Sequence, residues 1–154
     1  MPKLEDLLIE AADGFAADGR PQDAAPLYRD AYSEIGWTEE NLRSLLEVIA
    51  LGHVAVEDYV AADETYDLIL RVSGSSHTDH ARALVGIGKM EMAKNQPRTA
   101  LTAFANARWR IEQVQGSELG EFLLDEISRH EQAATEQVRQ TQMRAALEQH
   151  LSLY

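Results

Sequence analysis

The sequence predicts an all-α fold, a solenoid of helical hairpins with seven helices. Three observations predict it. Ala24, Ala62 and Ala100 lie 38 residues apart. The same step relates Tyr28, Tyr66 and Phe104; Leu8, Leu46 and Leu84; Ala11, Ile49 and Ile87; Ala12, Ala50 and Gly88; and Ala17, Ala55 and Ala93. Within each copy the apolar residues recur at three- and four-residue steps, the period of a helix with one buried face. No segment carries the alternation and turn residues of a β-hairpin. A helical hairpin can bury its apolar side only against the next copy, so tandem copies imply a stack.

The first copy spans residues 4–36. Its first helix runs from about Leu4 to Ala17, with Leu4, Leu7, Leu8, Ala11, Ala12 and Phe15 at helical spacing. Asp18-Gly19 stops it, because glycine accepts the left-handed backbone that closes a helix. Pro21 opens the second helix at the position where a missing N–H costs nothing. That helix carries Ala24, Leu27, Tyr28, Ala31, Tyr32 and Ile35 and ends at Gly36. The second copy spans 38–74. Thr38 caps its first helix, and Glu39 and Glu40 suit the positive helix end. Leu42, Leu45, Leu46, Ile49 and Ala50 face inward, and Glu57-Asp58 marks the turn. The next helix carries Tyr59, Ala62, Tyr66, Ile69 and Leu70 and stops in Ser73-Gly74-Ser75-Ser76. The third copy spans 78–116. Thr78 or Asp79 opens it, Asn95-Gln96-Pro97 turns it, and Gly116 ends it. Ser117 caps a long closing helix over 117–154, amphipathic in its first half and poorer in large apolar residues in its second. By length the whole chain, 1–154, is one domain.

Composition narrows the function. The hydrophobic content of 45% is too high for a disordered chain. No apolar run is long enough to span a membrane. Met1-Pro2-Lys3-Leu4-Glu5-Asp6 lacks the basic patch and apolar stretch of a secretory signal, so a cytoplasmic location is expected. The absence of cysteine excludes disulfides, zinc-cysteine sites and thiol catalysis. The net charge of −12 repels a phosphate backbone and argues against nucleic acid as a partner. The charge is uneven. Residues 1–74 carry 16 acids and 5 bases, whereas residues 75–116 carry 3 acids and 6 bases. The third copy is a basic island suited to a polarised binding surface or a head-to-tail self-contact.

The arrangement of small and aromatic residues resembles the tetratricopeptide repeat. That family places a large residue and then small residues in its first helix. In its second helix an Ala is followed by an aromatic four positions on and an Ala three later. The first copy reads Leu8, Ala11, Ala12, Phe15, Gly19, Ala24, Tyr28, Ala31. The second reads Leu46, Ile49, Ala50, His53, Tyr59, Ala62, Tyr66, Ile69. The third reads Leu84, Ile87, Gly88, Glu91, Pro97, Ala100, Phe104, Ala107. The 38-residue step departs from the family's period of about 34 by roughly one helical turn. His53 and Glu91 stand where the first copy has Phe15. The resemblance covers residues 4 to about 112. It implies a right-handed solenoid capped by the closing helix, and a concave groove lined by the first helix of each copy.

By register, the residues facing such a groove are Asp6, Ile9, Asp13 and Ala16; Ser44, Glu47, Leu51 and Val54; and Arg82, Val85, Lys89 and Met92. Ala17, Ala55 and Ala93 sit one residue further along and keep it open. The groove would be acidic at one end, apolar in the middle and basic at the other. Such a channel suits an extended or helical segment of another protein. Ile9 and Asp13 stand where some members hold a C-terminal carboxylate with Lys and Asn, so that clamp is not expected. The expected role is an adaptor or chaperone without enzymatic activity, cofactor or metal. The alternative is a self-assembly module that uses the closing helix or the complementary charges of the copies.

Enzymatic signatures are weak. His77 and His80 flank Asp79 at a helix start, where polar residues cap. Gly86-Ile87-Gly88 lies inside a helix without the strand that a phosphate loop requires. Asp63, Glu64 and Asp67 read as helix-surface carboxylates, and His53 as a partly buried core histidine. Trp109, between Arg108 and Arg110, reads either as an exposed recognition anchor or, preferably, as packed beneath the following helix.

Overall fold

The computed structural model describes residues 1–74, 76–114, 116 and 118–153. Among these residues there are seven helices and no strand. They are α1 (Leu4–Ala17), α2 (Pro21–Ile35), α3 (Glu39–Ala55), α4 (Tyr59–Val72), α5 (His77–Ala93), α6 (Pro97–Glu112) and α7 (Glu118–Leu151). No helix among the described residues is long and apolar enough to cross a membrane. The chain divides into two compact units, Met1–Ser75 and Ser76–Tyr154, where length alone suggests one domain. In the first unit α1 pairs with α2, α3 with α4, and α2 also packs on α3. In the second unit α5 pairs with α6, and α7 packs on α6 and, less extensively, on α5.

The three hairpins share one turn. Gly19, Glu57 and Asn95 all take the left-handed conformation, at φ +72°, +61° and +61°. In each turn the next backbone N–H reaches back five residues. Arg20 donates to Phe15 O, Asp58 to His53 O and Gln96 to Glu91 O, each at 2.8 Å. A second bond runs from the left-handed residue itself to a carbonyl three residues back: Ala16, Val54 and Met92. These paired bonds occupy carbonyls that the helix end leaves open. The following helices then start at Pro21, Tyr59 and Pro97. A 38-residue step in sequence is thus a 38-residue step in backbone geometry.

The same step runs through the packing. Ala12, Ala50 and Gly88 are buried on the first helices, and Ala24, Ala62 and Ala100 on the second helices. Tyr28, Tyr66 and Phe104 are buried four residues beyond the second set. Small side chains let helices approach closely, and the ring fills the space beside them. The third hairpin takes this furthest. A methyl carbon added at Gly88 would stand 2.7 Å from Phe104 Cδ1.

Helix starts follow local chemistry, with one correction. Thr38 Oγ1 accepts from Asn41 N–H at 3.1 Å, and Asp58 Oδ1 from Ala61 N–H at 3.3 Å. The fifth helix opens at His77, not at Thr78 or Asp79. Ser76 caps it by accepting from Asp79 N–H at 3.3 Å. The Ser76 hydroxyl, just before His77, accepts from Asp79's own free N–H, which puts Asp79 in the first turn of the helix rather than at its cap. Ser117, the expected cap of α7, and Ser75, part of the expected polar loop, lie outside the described residues.

Two outcomes test this packing. Glu57→Gly should raise stability by about 0.5–1 kcal/mol, because glycine carries no penalty at positive φ. Urea unfolding measures it, and an unchanged midpoint would contradict the shared turn. Gly88→Ala should cost about 1–3 kcal/mol by overpacking against Phe104, despite alanine's better helix propensity. Phe104→Leu in the Gly88→Ala background should recover part of that loss.

Candidate partner-binding face

In the first unit the positions read from the sequence stay at least partly exposed, whereas in the second Val85 is buried, Met92 partly buried and Lys89 ion-paired. In α1, Asp6 is exposed, and it enters no ion pair among the described residues. Ile9 is half-buried against the cluster formed by Ala12, Ala24, Tyr28, Tyr32 and Leu45. Asp13 accepts a short hydrogen bond from the Tyr28 hydroxyl. In α3, Ser44 shares a hydrogen bond with Tyr32, and Glu47 is half-buried with its charge near Tyr66. Leu51 is 49% exposed. Val54 is half-buried, and its carbonyl serves the turn bond from Glu57.

Two aromatic residues that the groove register did not include join these positions. Tyr28 and Tyr32 stack at 5.7 Å with their planes 13° apart, and Trp37 meets Tyr32 edge-on at 6.0 Å. The stack comes from four-residue spacing on α2, which puts both rings on one helix face. It links Asp13 of α1 to Ser44 of α3 through α2. Burial, and then the hydrogen bond and charge of Asp13, push the Tyr28 hydroxyl well above the usual phenol range. Burial and then the Asp13 charge raise Tyr32 as well. Burial with the Glu47 charge pushes Tyr66 up to about 12. All three hydroxyls therefore stay protonated and neutral at ordinary pH. The spacing of Tyr28 and Tyr32 was visible in the sequence; their bonds to α1 and α3 were not.

The second unit corrects three positions. Val85 is not a groove residue: it is 4% exposed and belongs to the core with Phe104, Ile111, Leu123 and Ile127. Its equivalents are Ile9 and Glu47, so two of the three copies carry an aliphatic there. That was the available sign that the position turns inward. Met92 packs partly buried against the same core. Lys89 is bound to Glu126 of α7 at 2.8 Å rather than offered to a ligand. Arg82 remains exposed on α5.

The α7 contact has its own electrostatics. Partial burial disfavours the Glu126 carboxylate, but the Lys89 ammonium outweighs it and holds the group below the usual range. His130 stacks on Phe104 at 5.6 Å, and its Nε2 lies 3.7 Å from Glu126. Burial, then the Lys89 charge, depress the His130 imidazole below its ordinary value. Arg108 of α6 adds hydrogen bonds to Ser128 at 3.0 Å and to Glu131. This clamp and an apolar seam seat α7 against α6 and, less extensively, α5.

Trp109 also departs from expectation. It is 54% exposed rather than covered, because the apolar side of α7 turns to Phe104, Ala107 and Ile111 instead. Its ring meets His77 edge-on at 6.0 Å, and the Arg110 guanidinium lies 5.5 Å from the ring centre. His77 Nδ1 is 3.3 Å from that guanidinium. Among the described residues no group of three or more His, Asp or Glu side chains could hold a metal. No protein-family model matches the chain, and no curated protein is significantly similar to it in sequence.

The His130 and Glu126 shifts act in one direction. Both pKa values are lowered by folding, so each contribution is complete above the unfolded value, 6.5 for His130 and 4.5 for Glu126. Each is lost as pH falls through the folded value. Hydrogen-exchange protection of α5 and α7 should therefore weaken from about pH 7 to about pH 5. His130→Gln should flatten the part of that dependence above about pH 5. A pH-independent protection pattern would contradict the clamp.

Proposed function

We propose that the chain is a non-enzymatic interaction scaffold, a tetratricopeptide-like stack of hairpins that holds a helical or extended segment of another protein. The location that fits its composition is the cytoplasm. The observation that carries this reading is Leu51. At the equivalent positions Asp13 is engaged by Tyr28 and Lys89 by Glu126, while Leu51 stays half-exposed on α3. The proposed site is Asp6, Ile9, Asp13, Ser44, Glu47, Leu51 and Val54, with Leu51 as the apolar anchor. Its acidic rim favours a segment with basic flanks. The second unit offers an internal precedent, since the face around α5 and α6 is occupied by an amphipathic helix, α7.

The test pairs Leu51→Glu with the control Leu68→Glu, an exposed leucine on α4. Affinity capture from the native host with quantitative peptide identification should give a partner that Leu51→Glu loses by at least about tenfold. Leu68→Glu should retain it. Both variants should melt like the parent. Equal loss in both, or in neither, would remove the site from α1 and α3.

A further inference from the structure

The two ends of the chain carry complementary unfilled surfaces. On α1, the side chains of Leu4 and Leu7 are 64% and 47% exposed, and Ala11 and Gly14 continue the exposed stripe. The 38-residue step maps this stripe onto Leu42, Leu45, Ile49 and Gly52 of α3. There it is largely covered: Leu45 is 5% exposed, Ile49 half-buried and Gly52 buried. The cover is α2. A methyl carbon at Gly52 would touch Gln22 Cγ at 3.7 Å, whereas one at Gly14 would meet nothing within 4 Å. The fold itself thus defines what fills this stripe, namely the side of an amphipathic helix, and among the described residues no helix covers it on α1.

The distal half of α7 is such a helix without a seat. Its proximal half buries Gly120, Leu123, Ile127 and Ala134. Beyond Gln137, which bonds Asn95, and a cleft of about 180 Å³ between residues 95–98 and Val138, Thr141 and Gln142, every residue from Met143 to Leu153 is exposed. Met143, Leu147 and Leu151 form one apolar row at four-residue steps. At about 100° per residue this row lies roughly 140° around the helix from Leu123, Ile127 and Ala134. It turns away from the surface that α7 already packs on, so continuing that packing cannot cover it.

Charge indicates the occupant. Within α1 there are four acids, Glu5, Asp6, Glu10 and Asp13, and no base. The distal α7 segment carries Arg144 and Glu148, while Arg139 just before them is already paired with Glu136. Arg144 enters no ion pair among the described residues, and neither do Asp6 and Glu10. We infer that the Met143–Leu147–Leu151 row of one copy docks on the Leu4–Leu7–Ala11 stripe of a second copy. The surfaces differ, so the contact is head-to-tail and either closes into a ring or extends. A single helix-on-helix contact is small beside the roughly 1,200 Å² of a stable interface, so assembly should be concentration-dependent. It should weaken between about 50 mM and about 500 mM salt.

The experiment is sedimentation equilibrium of the full chain with complementing variants. Wild type at about 100 µM should exceed the monomer mass. Leu7→Glu and Leu147→Glu alter exposed residues at opposite ends, and each alone should be monomeric, with association weakened at least about thirtyfold. An equimolar mixture should give a heterodimer and nothing larger, since it holds one intact tail and one intact stripe. A monomeric wild type overturns the inference and leaves the tail to a foreign partner. A mixture that stays monomeric overturns it, and self-association of Leu7→Glu alone or Leu147→Glu alone overturns it in favour of a tail-to-tail or a stripe-to-stripe contact. Circular dichroism of each variant confirms that it is folded. Leu51→Glu, which tests the partner-binding site, should leave this assembly unchanged, so the two readings fail separately.

Discussion

The close approach of paired helices at small residues is the constraint on which the structure depends. Ala12, Ala50 and Gly88 have little or nothing beyond the backbone, so the second helix of each hairpin can press its aromatic ring beside them. Where the small residue is smallest the ring goes deepest, and Phe104 lies directly over Gly88. A close-packed contact of this kind tolerates neither an added methyl nor a lost ring without repacking. The turns follow from it: three hairpins that cross alike need three turns that reverse alike. Glu57 and Asn95 accordingly accept a backbone conformation that only Gly19 adopts without penalty.

The same construction gives the two units different surfaces. In the first unit Asp13 of α1 and Ser44 of α3 are held by hydrogen bonds to the buried tyrosine stack, and Leu51 is exposed. In the second, α7 packs on α6 and α5. Its carboxylate neutralises Lys89, its histidine covers Phe104, and its aliphatic residues complete the core around Val85.

Charge has a similar double role. Ion pairs such as Arg20 with Asp23 and Arg139 with Glu136 lie on exposed helix surface and add little stability. The bonds around Arg108, Glu131, Lys89 and Glu126 are half-buried and fix the position of α7. The first unit carries far more acids than bases. Its 16 acids against 5 bases over residues 1–74 are a field directed at solvent and at whatever approaches.

What the sequence determined by itself was everything governed by local period and by small residues. Seven helices, the turns at Gly19, Glu57 and Asn95, and the burial of Ala24, Ala62 and Ala100 all follow from rules acting within a few residues or from exact repetition. Tertiary structure decided which copies of a repeated position are free. Leu7 and Leu45 occupy the same place in the repeat, yet one is exposed and the other buried, because only the second has a helix in front of it. Val85 and Lys89 read as groove residues until α7 folds against them. Local pattern encodes which way a side chain points along its own helix; whether another helix arrives there depends on contacts distant in sequence, and those exist only in the folded chain.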